Sequence, residues 1–155
     1  MSFNAFDFKC MAIALQLAVR GLETTHPNPR VGCVITRNGK IVGKGWHQKA
    51  GEAHAEINAL QEAGDNAEGG TAYITLEPCS HVGRTPPCVE ALIRANVKRV
   101  IFAVGDPNPD VNGNGIQRLQ QAGIEVRSGL MAQQAEELNR GFLKRMRQGL
   151  PWVRI

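Results

Sequence analysis

The chain is poor in cysteine and poorer still in aromatic residues. Four cysteines in 155 residues are too few for a disulfide scaffold, and a chain of this length buries enough apolar surface to do without one. Phe, Trp and Tyr together make up 5% of the residues, which leaves few of the stacking platforms that single-stranded nucleic acid binders present. No stretch approaches the roughly 18 uninterrupted apolar residues of a membrane-spanning helix. The first ten residues, "MSFNAFDFKC", lack the basic, apolar and small-residue regions of a secretory signal. The expectation is one soluble, cytoplasmic domain with reduced thiols, no membrane partner and no nucleic acid partner. A net charge of +4 is a mild signal. The densest basic run, "RGFLKRMRQG", reads as a solvated face or a contact to another domain.

Turn residues divide the rest into short elements. Residues 5–21 place Phe8, Ala12, Leu15 and Val19 near helical spacing, and Gly21 suits the stop. "HPNPR" reads as a turn. In "VGCVITRNGKIVGKGW" two β-rich runs flank Asn38-Gly39, a strong hairpin signal because a type I′ turn needs positive φ at both central positions. "AHAEINALQEAG" reads as a helix ending at Gly64, and "TAYITLE" as a central strand with little charge. Pro86 and Pro87 open a helix in "PPCVEALIRAN". "RVIFAVG" is a second buried strand and "DPNPDVNGNG" a loop. "IQRLQQAG" is a helix, "IEVRSG" a short strand, residues 131–148 a longer helix, and "PWVRI" the start of a strand. Strands alternating with helices predict an α/β fold, a three-layer sandwich around a mixed sheet whose first pair is antiparallel.

The chemistry concentrates in "EPCSHVGRTPPC", which sets Cys79 and Cys88 in a stiff, polar loop, and in His54-Ala55-Glu56 at a helix start. A His, Cys, Cys set with one position left for water is the pattern of catalytic zinc, whereas structural zinc closes all four positions. The nearest candidate for a fourth ligand is His81, inside the loop between the cysteines. Cys88 falls in the first turn of its helix, where backbone N–H groups favour the thiolate that zinc needs. Two thiolates and a neutral imidazole cancel the charge of the ion. Such a centre acidifies its water less than a site of three histidines, where the water pKa falls to about 7. A nearby base is therefore needed, and Glu56 is the obvious one, since burial would raise its pKa toward neutrality. Positions two apart lie about 200° around a helix, so His54 and Glu56 meet only if the helix is approached from its N-terminal end.

A lone His-x-Glu arises often by chance, and a pair of cysteines is often simple packing, as Cys10 and Cys33 are read here. The joint order carries the zinc reading: His-x-Glu at a helix start, a strand, Pro-Cys, then a second cysteine at a helix start.

This order resembles the zinc-dependent nucleoside and nucleobase deaminases, with a longer interval between the cysteines than their Pro-Cys-x-x-Cys form. The long loop is similar to the deaminase domain of the riboflavin-biosynthesis enzymes. The likeness runs over nearly the whole chain, through "HPNPRVGCVI", "GKGWHQKAGEAHAEINAL", "AYITLEPCSHVGRTPPC", "VGDPNPDVNGNG" and "LNRGFLKRMRQGLPWVRI". It implies a cytidine-deaminase-like fold and a site with one Zn2+ on His54, Cys79 and Cys88. It also implies hydrolysis of 2,5-diamino-6-(5-phosphoribosylamino)pyrimidin-4(3H)-one to the corresponding uracil and ammonia. Water activated at the zinc would replace the ring amine, with Glu56 carrying the protons.

By the same resemblance Asn28 and His47 contact the substrate base and its neighbouring groups. Ser80, His81 and Arg84 lie in the loop over the ribosyl phosphate, and Asp106 and Asn108 lie near the sugar. A guanidinium such as Arg84 independently suits bidentate phosphate recognition. Asn28 and Asn108 both precede prolines, so a backbone-shaping role stands beside the substrate role. Ala53 replaces a proline frequent in the family. Residues 1–150 are expected to form the deaminase domain, and 151–155 to begin a strand that in the bifunctional enzymes leads into an NADPH-dependent reductase domain; a stand-alone deaminase is the alternative. A homo-oligomer is expected. The competing readings are a deaminase of guanine, cytidine or a tRNA adenosine, and a non-catalytic zinc-binding module. Arg84 argues against the first, because a nucleobase needs no cation. Glu56 argues against the second, because a structural site has no use for a carboxylate that is not a ligand.

Overall fold

The computed structural model describes residues 3–21, 30–48, 53–79, 88–105 and 113–140. Helix α1 (Ala5–Val19) opens under a capping box in which the Asn4 side chain accepts the Asp7 N–H and the Asp7 carboxylate accepts the Asn4 N–H. Its buried side consists of Asp7, Cys10, Met11, Ala14, Leu17 and Ala18. This corrects the stripe read from the sequence. Phe8, Ala12, Leu15 and Val19 do share a helical face, but it points outward, leaving Phe8 48% and Val19 49% exposed. Where the helix lies closest to the sheet, at Gly32, the inner face is held by Ala14 and Ala18. A Cβ on Gly32 would stand 1.9 Å from the Ala14 carbonyl oxygen.

Strands β1 (Gly32–Arg37) and β2 (Lys40–Trp46) form the expected hairpin. Asn38 and Gly39 both take positive φ, 53° and 76°, as a type I′ turn requires. Helix α2 (Ala55–Ala63) then crosses the hairpin and stops at Gly64, φ 56°. Close contact between α2 and β2 depends on two glycines. A Cβ on Gly43 would lie 2.3 Å from the Ala59 carbonyl oxygen, and one on Gly45 2.5 Å from that of Ala55. The remaining elements are β3 (Thr71–Leu76), α3 (Cys88–Arg94), β4 (Arg99–Val104), α4 (Asn114–Gln121), β5 (Glu125–Ser128) and α5 (Ala132–Leu138).

The five strands form one sheet in the order β2-β1-β3-β4-β5. β1 runs antiparallel to both β2 and β3, while β3, β4 and β5 are parallel. The strand with little charge, β3, is indeed central and buried past its first residue. Alternation along the strands sorts the core into two layers. Cys33, Ile35, Ile74 and Phe102 meet α2, α3 and α4 on one face, and Val34, Tyr73 and Ile101 meet α1 and α5 on the other. The result is the expected α/β/α sandwich with a mixed sheet. Cys10 and Cys33 are fully buried packing residues.

The long final helix is corrected. α5 has seven residues and ends at Leu138. Its successor, Asn139, is committed to the chain before β1: its Oδ1 accepts the Arg30 N–H at 2.7 Å and its Nδ2 donates to the Arg30 carbonyl at 2.8 Å. Residues 141–148 and "PWVRI" lie outside the described residues. Among the described residues no helix is long and apolar enough to cross a membrane.

Candidate active site

The first and second cysteines of the long loop and the His-x-Glu motif converge at the ends of β2 and β3. Beyond β3 the chain runs through Glu77 and Pro78 to Cys79, and Cys88 is the first residue of α3. His54 is the N-cap of α2, with extended backbone (φ −72°, ψ 165°). It therefore stands outside the helix, and the 200° separation that a helix would impose on His54 and Glu56 does not apply. The approach from the N-terminal end of α2 is the one the fold provides.

His54 Nδ1 lies 3.2 Å from the Cys88 sulfur and 3.7 Å from the Cys79 sulfur. The three donor atoms all fall within 4.8 Å of one another. Tetrahedral zinc at ordinary bond lengths spaces its nitrogen and sulfur ligands about 3.6 Å apart and two sulfurs about 3.8 Å apart. One imidazole and two thiols at this spacing fit zinc in both size and softness.

The electrostatics divide the two cysteines. Cys79 is lowered to about 4, chiefly by its hydrogen bond with Cys88 and further by His54, against the opposing effect of burial. Cys88 is raised: its bond to Cys79 holds the proton in place, and burial and the Glu56 carboxylate add to this. The sequence reading placed the helix-favoured thiolate at Cys88. Instead, the Cys88 N–H donates to the Cys79 sulfur at 3.2 Å, so without metal the α3 N-terminus stabilises charge on Cys79. The His54 pKa is raised by its bond to Cys79.

Glu56 occupies the first turn of α2 and is 4% exposed. Burial, followed by the Cys79 charge, pushes its pKa up to about 7. It meets the expectation of a carboxyl that exchanges protons near neutrality. Cys33 is pushed well above the thiol range by burial and then by Glu56, which leaves it an inert thiol against the site.

His47 is buried beside the ligands, with its ring centroid 5.3 Å from that of His54. The two segments are tied by Asn58, whose Nδ2 donates to the Trp46 carbonyl at 2.9 Å and to the Ala53 carbonyl at 3.4 Å. The structure thus brings together His47, His54, Glu56, Cys79 and Cys88. Asn28, Ser80, His81, Arg84, Asp106 and Asn108 lie outside the described residues. Sequence reasoning missed two residues beside this site. Asn58 carried no signal, being one polar residue on an amphipathic helix. Glu77 carries one: it is the single charged residue of "TAYITLE", just past β3, and is 3% exposed once folded.

This fold and this His, Cys, Cys group agree with the family description "cytidine and deoxycytidylate deaminase zinc-binding region", which matches residues 5–104, and the chain belongs to that deaminase family. It is 63% identical over 145 residues to the riboflavin biosynthesis protein RibD of Escherichia coli, covering 94% of this chain and 40% of that protein. It is also 57% identical over 141 residues to the diaminohydroxyphosphoribosylamino-pyrimidine deaminase of Buchnera aphidicola, covering 91% of this chain and 96% of that one. Among solved structures, RibD of Acinetobacter baumannii superposes with a TM-score of 0.94 at 55% identity, over 96% of this chain and 42% of that one. Within the family the chain therefore groups with the deaminases of riboflavin biosynthesis. It spans about two fifths of the longer relatives and nearly all of the short one.

Proposed function

We propose that this chain is the hydrolase that converts 2,5-diamino-6-(5-phosphoribosylamino)pyrimidin-4(3H)-one to 5-amino-6-(5-phosphoribosylamino)uracil and ammonia. The observation that carries the reading is the buried Glu56, its carboxyl raised to about 7, set beside a convergent His54, Cys79 and Cys88. In this reading the three side chains hold one Zn2+. When bound, the ion acts as a Lewis acid that makes water a nucleophile near neutral pH.

The chain's own residues supply the rest. Glu56 takes a proton from water and passes it to the ring nitrogen beside the reacting carbon. The carboxylate then takes the proton of the added hydroxyl and gives it to the amine, which departs as ammonia. A pKa near the working pH lets one carboxyl both accept and donate. Its low exposure keeps those protons from exchanging with bulk water. His47, next to His54, contacts the substrate base, as does Asn28. Ser80, His81 and Arg84 take the ribosyl phosphate, with Arg84 as its cation, and Asp106 and Asn108 lie at the sugar.

Residues 1–150 form the deaminase domain, and 151–155 lead toward a reductase domain that uses NADPH. The greater length of the RibD relatives supports this reading. The proposed setting is the cytoplasm, where the thiols stay reduced, and the proposed assembly is a homo-oligomer.

The test is ammonia release by zinc-loaded protein from the phosphorylated diaminopyrimidine, its dephosphorylated form, cytidine and guanine, run beside Glu56→Ala. Turnover of the phosphorylated pyrimidine alone, lost in the variant, is the expected result. Turnover of cytidine or guanine instead would overturn the substrate. Metal binding without any turnover would leave a zinc-binding module.

A further inference from the structure

Glu77 has no place among the expected ligands, yet it is a carboxylate 3% exposed and two residues before Cys79. Its surroundings show what it holds. The Glu77 N–H donates to the Val104 carbonyl at 2.9 Å, which prolongs the β3–β4 ladder one residue past the strand. Its Oε2 accepts the N–H of Gly113, the N-cap of α4, at 3.0 Å. The carboxylate thus lies where that helix's unsatisfied N–H groups favour negative charge.

Two residues on, Cys79 is held in the same way by α3. The Val89 N–H donates to the Cys79 carbonyl at 3.1 Å, and the Cys88 N–H to its sulfur at 3.2 Å. The turn from Glu77 to Cys79 is therefore pinned at one end by the start of α4 and at the other by the start of α3. Glycines make the approach close. A Cβ on Gly115 would stand 2.9 Å from the Pro78 carbonyl oxygen and 3.6 Å from Glu77 Oε2, and one on Gly105 would stand 3.5 Å from Oε1.

We propose that Glu77 is a positioning residue for the metal site, an anionic latch to the N-terminus of α4 that fixes where the Cys79 sulfur meets Cys88 and His54. The inference rests on the zinc reading above. Glu77 is not among the three donors of the metal group; it acts through the backbone that carries Cys79. Groups outside the ligand shell that orient ligands change metal affinity by about 10–100-fold when removed.

The test compares wild type, Glu77→Gln and Glu77→Ala in the whole chain, with zinc affinity measured by chelator competition and the site read by cobalt substitution. Glu77→Ala is expected to bind zinc about tenfold or more weakly and to shift the cobalt d–d bands. Glu77→Gln, whose amide oxygen still accepts the Gly113 N–H, should fall between the two. Metal-free thermal denaturation separates a fold defect from a site defect, and all affinities are taken below the lowest melting temperature. If Glu77→Ala does not fold, Glu77→Gln decides, since the latch predicts a loss of affinity from charge alone. Wild-type affinity and an unchanged cobalt spectrum in the deciding variant would overturn the proposal. A wild-type chain that binds no zinc would overturn the zinc reading and this inference with it.

Discussion

The backbone N–H of Cys88 points at the sulfur of Cys79, 3.2 Å away. One cysteine thereby solvates the other, and the two thiols cease to be equivalent before any metal arrives. Cys79 becomes the thiolate, lowered to about 4, and Cys88 keeps its proton.

This asymmetry is open to chemistry. In metal-free protein at neutral pH, iodoacetamide should label Cys79 ahead of Cys88, Cys10 and Cys33. The thiolate is the nucleophile, and Cys79 is the only one of the four cysteines that is not buried. Peptide mapping by mass spectrometry reads the order, and bound zinc should protect Cys79. Equal labelling of Cys79 and Cys88 would contradict the asymmetry.

The pH dependence of metal-free stability follows from two opposed shifts up to about pH 6. Above it the raised His54 adds a further fall, as its proton is lost from the unfolded chain first. Glu56 is raised from 4.5 to about 7. Between those values the unfolded chain loses this proton while the folded chain keeps it, so this group lowers stability as pH rises and contributes no further slope above 7. Cys79 is lowered from 9.0 to about 4. Between those values the folded chain has lost its proton and the unfolded chain has not, so this group raises stability as pH rises. Each slope is about 1.4 kcal/mol per pH unit at most, and the two offset one another between roughly pH 4.5 and 6. Glu56→Gln should expose a stability that climbs with pH over that range, and Cys79→Ser one that falls. Urea denaturation of metal-free protein at several pH values measures both.

Gly45→Ala should damage the site from outside it. The new Cβ would stand 2.5 Å from the Ala55 carbonyl oxygen, 2.6 Å from the Ala59 nitrogen and 2.8 Å from the Asn58 Cβ. Helix α2 must move, and it carries His54 and Glu56 at its start. A loss of about 1–3 kcal/mol in stability is expected from overpacking, together with a fall in kcat of up to about 100-fold from misplacement. A variant with lowered stability and unchanged kcat would show that α2 relaxes without moving its first turn.

Asp7 supplies the converse case, a buried carboxylate remote from the chemistry. It accepts the Tyr73 hydroxyl at 2.7 Å, pairs with Arg99 at 3.4 Å and completes the capping box of α1. Arg99 begins β4 beside Thr71, the first residue of β3, whereas Cys79 and Cys88 follow the other end of β3. Asp7→Ala should cost about 2–4 kcal/mol, through the cap and the unsatisfied Tyr73 hydroxyl. Its kcat/KM at 25 °C should equal that of wild type. A reduced kcat/KM in folded protein would show coupling along β3.

Local chemistry made much of this protein legible from its residues alone. Asn38-Gly39 specifies a hairpin because positive φ is inexpensive there, and the apolar run of β3 specifies a central strand because charge is costly there. The donor set of one histidine and two cysteines, with a carboxylate close by, announces zinc-assisted proton chemistry through softness and charge alone. The direction of α1 was not legible, since the inner face went to Cys10, Met11, Ala14, Leu17 and Ala18, two of whose alanines meet Gly32 where helix and sheet come closest. Nor was the end of α5, where Asn139 takes up Arg30, 109 positions away in the sequence.

Residue order by itself determined which groups are candidates for the chemistry, because ligand softness and the kind of proton a side chain carries belong to the residue. Only the tertiary structure decided their setting: His54 clear of the helix, Cys79 favoured over Cys88 as the thiolate before metal binds, Glu56 raised toward neutrality, and Glu77 set against the start of α4. Each of these depends on burial or on a hydrogen bond between segments distant in the chain, and no local pattern encodes a contact that forms only when the sheet and its helices close.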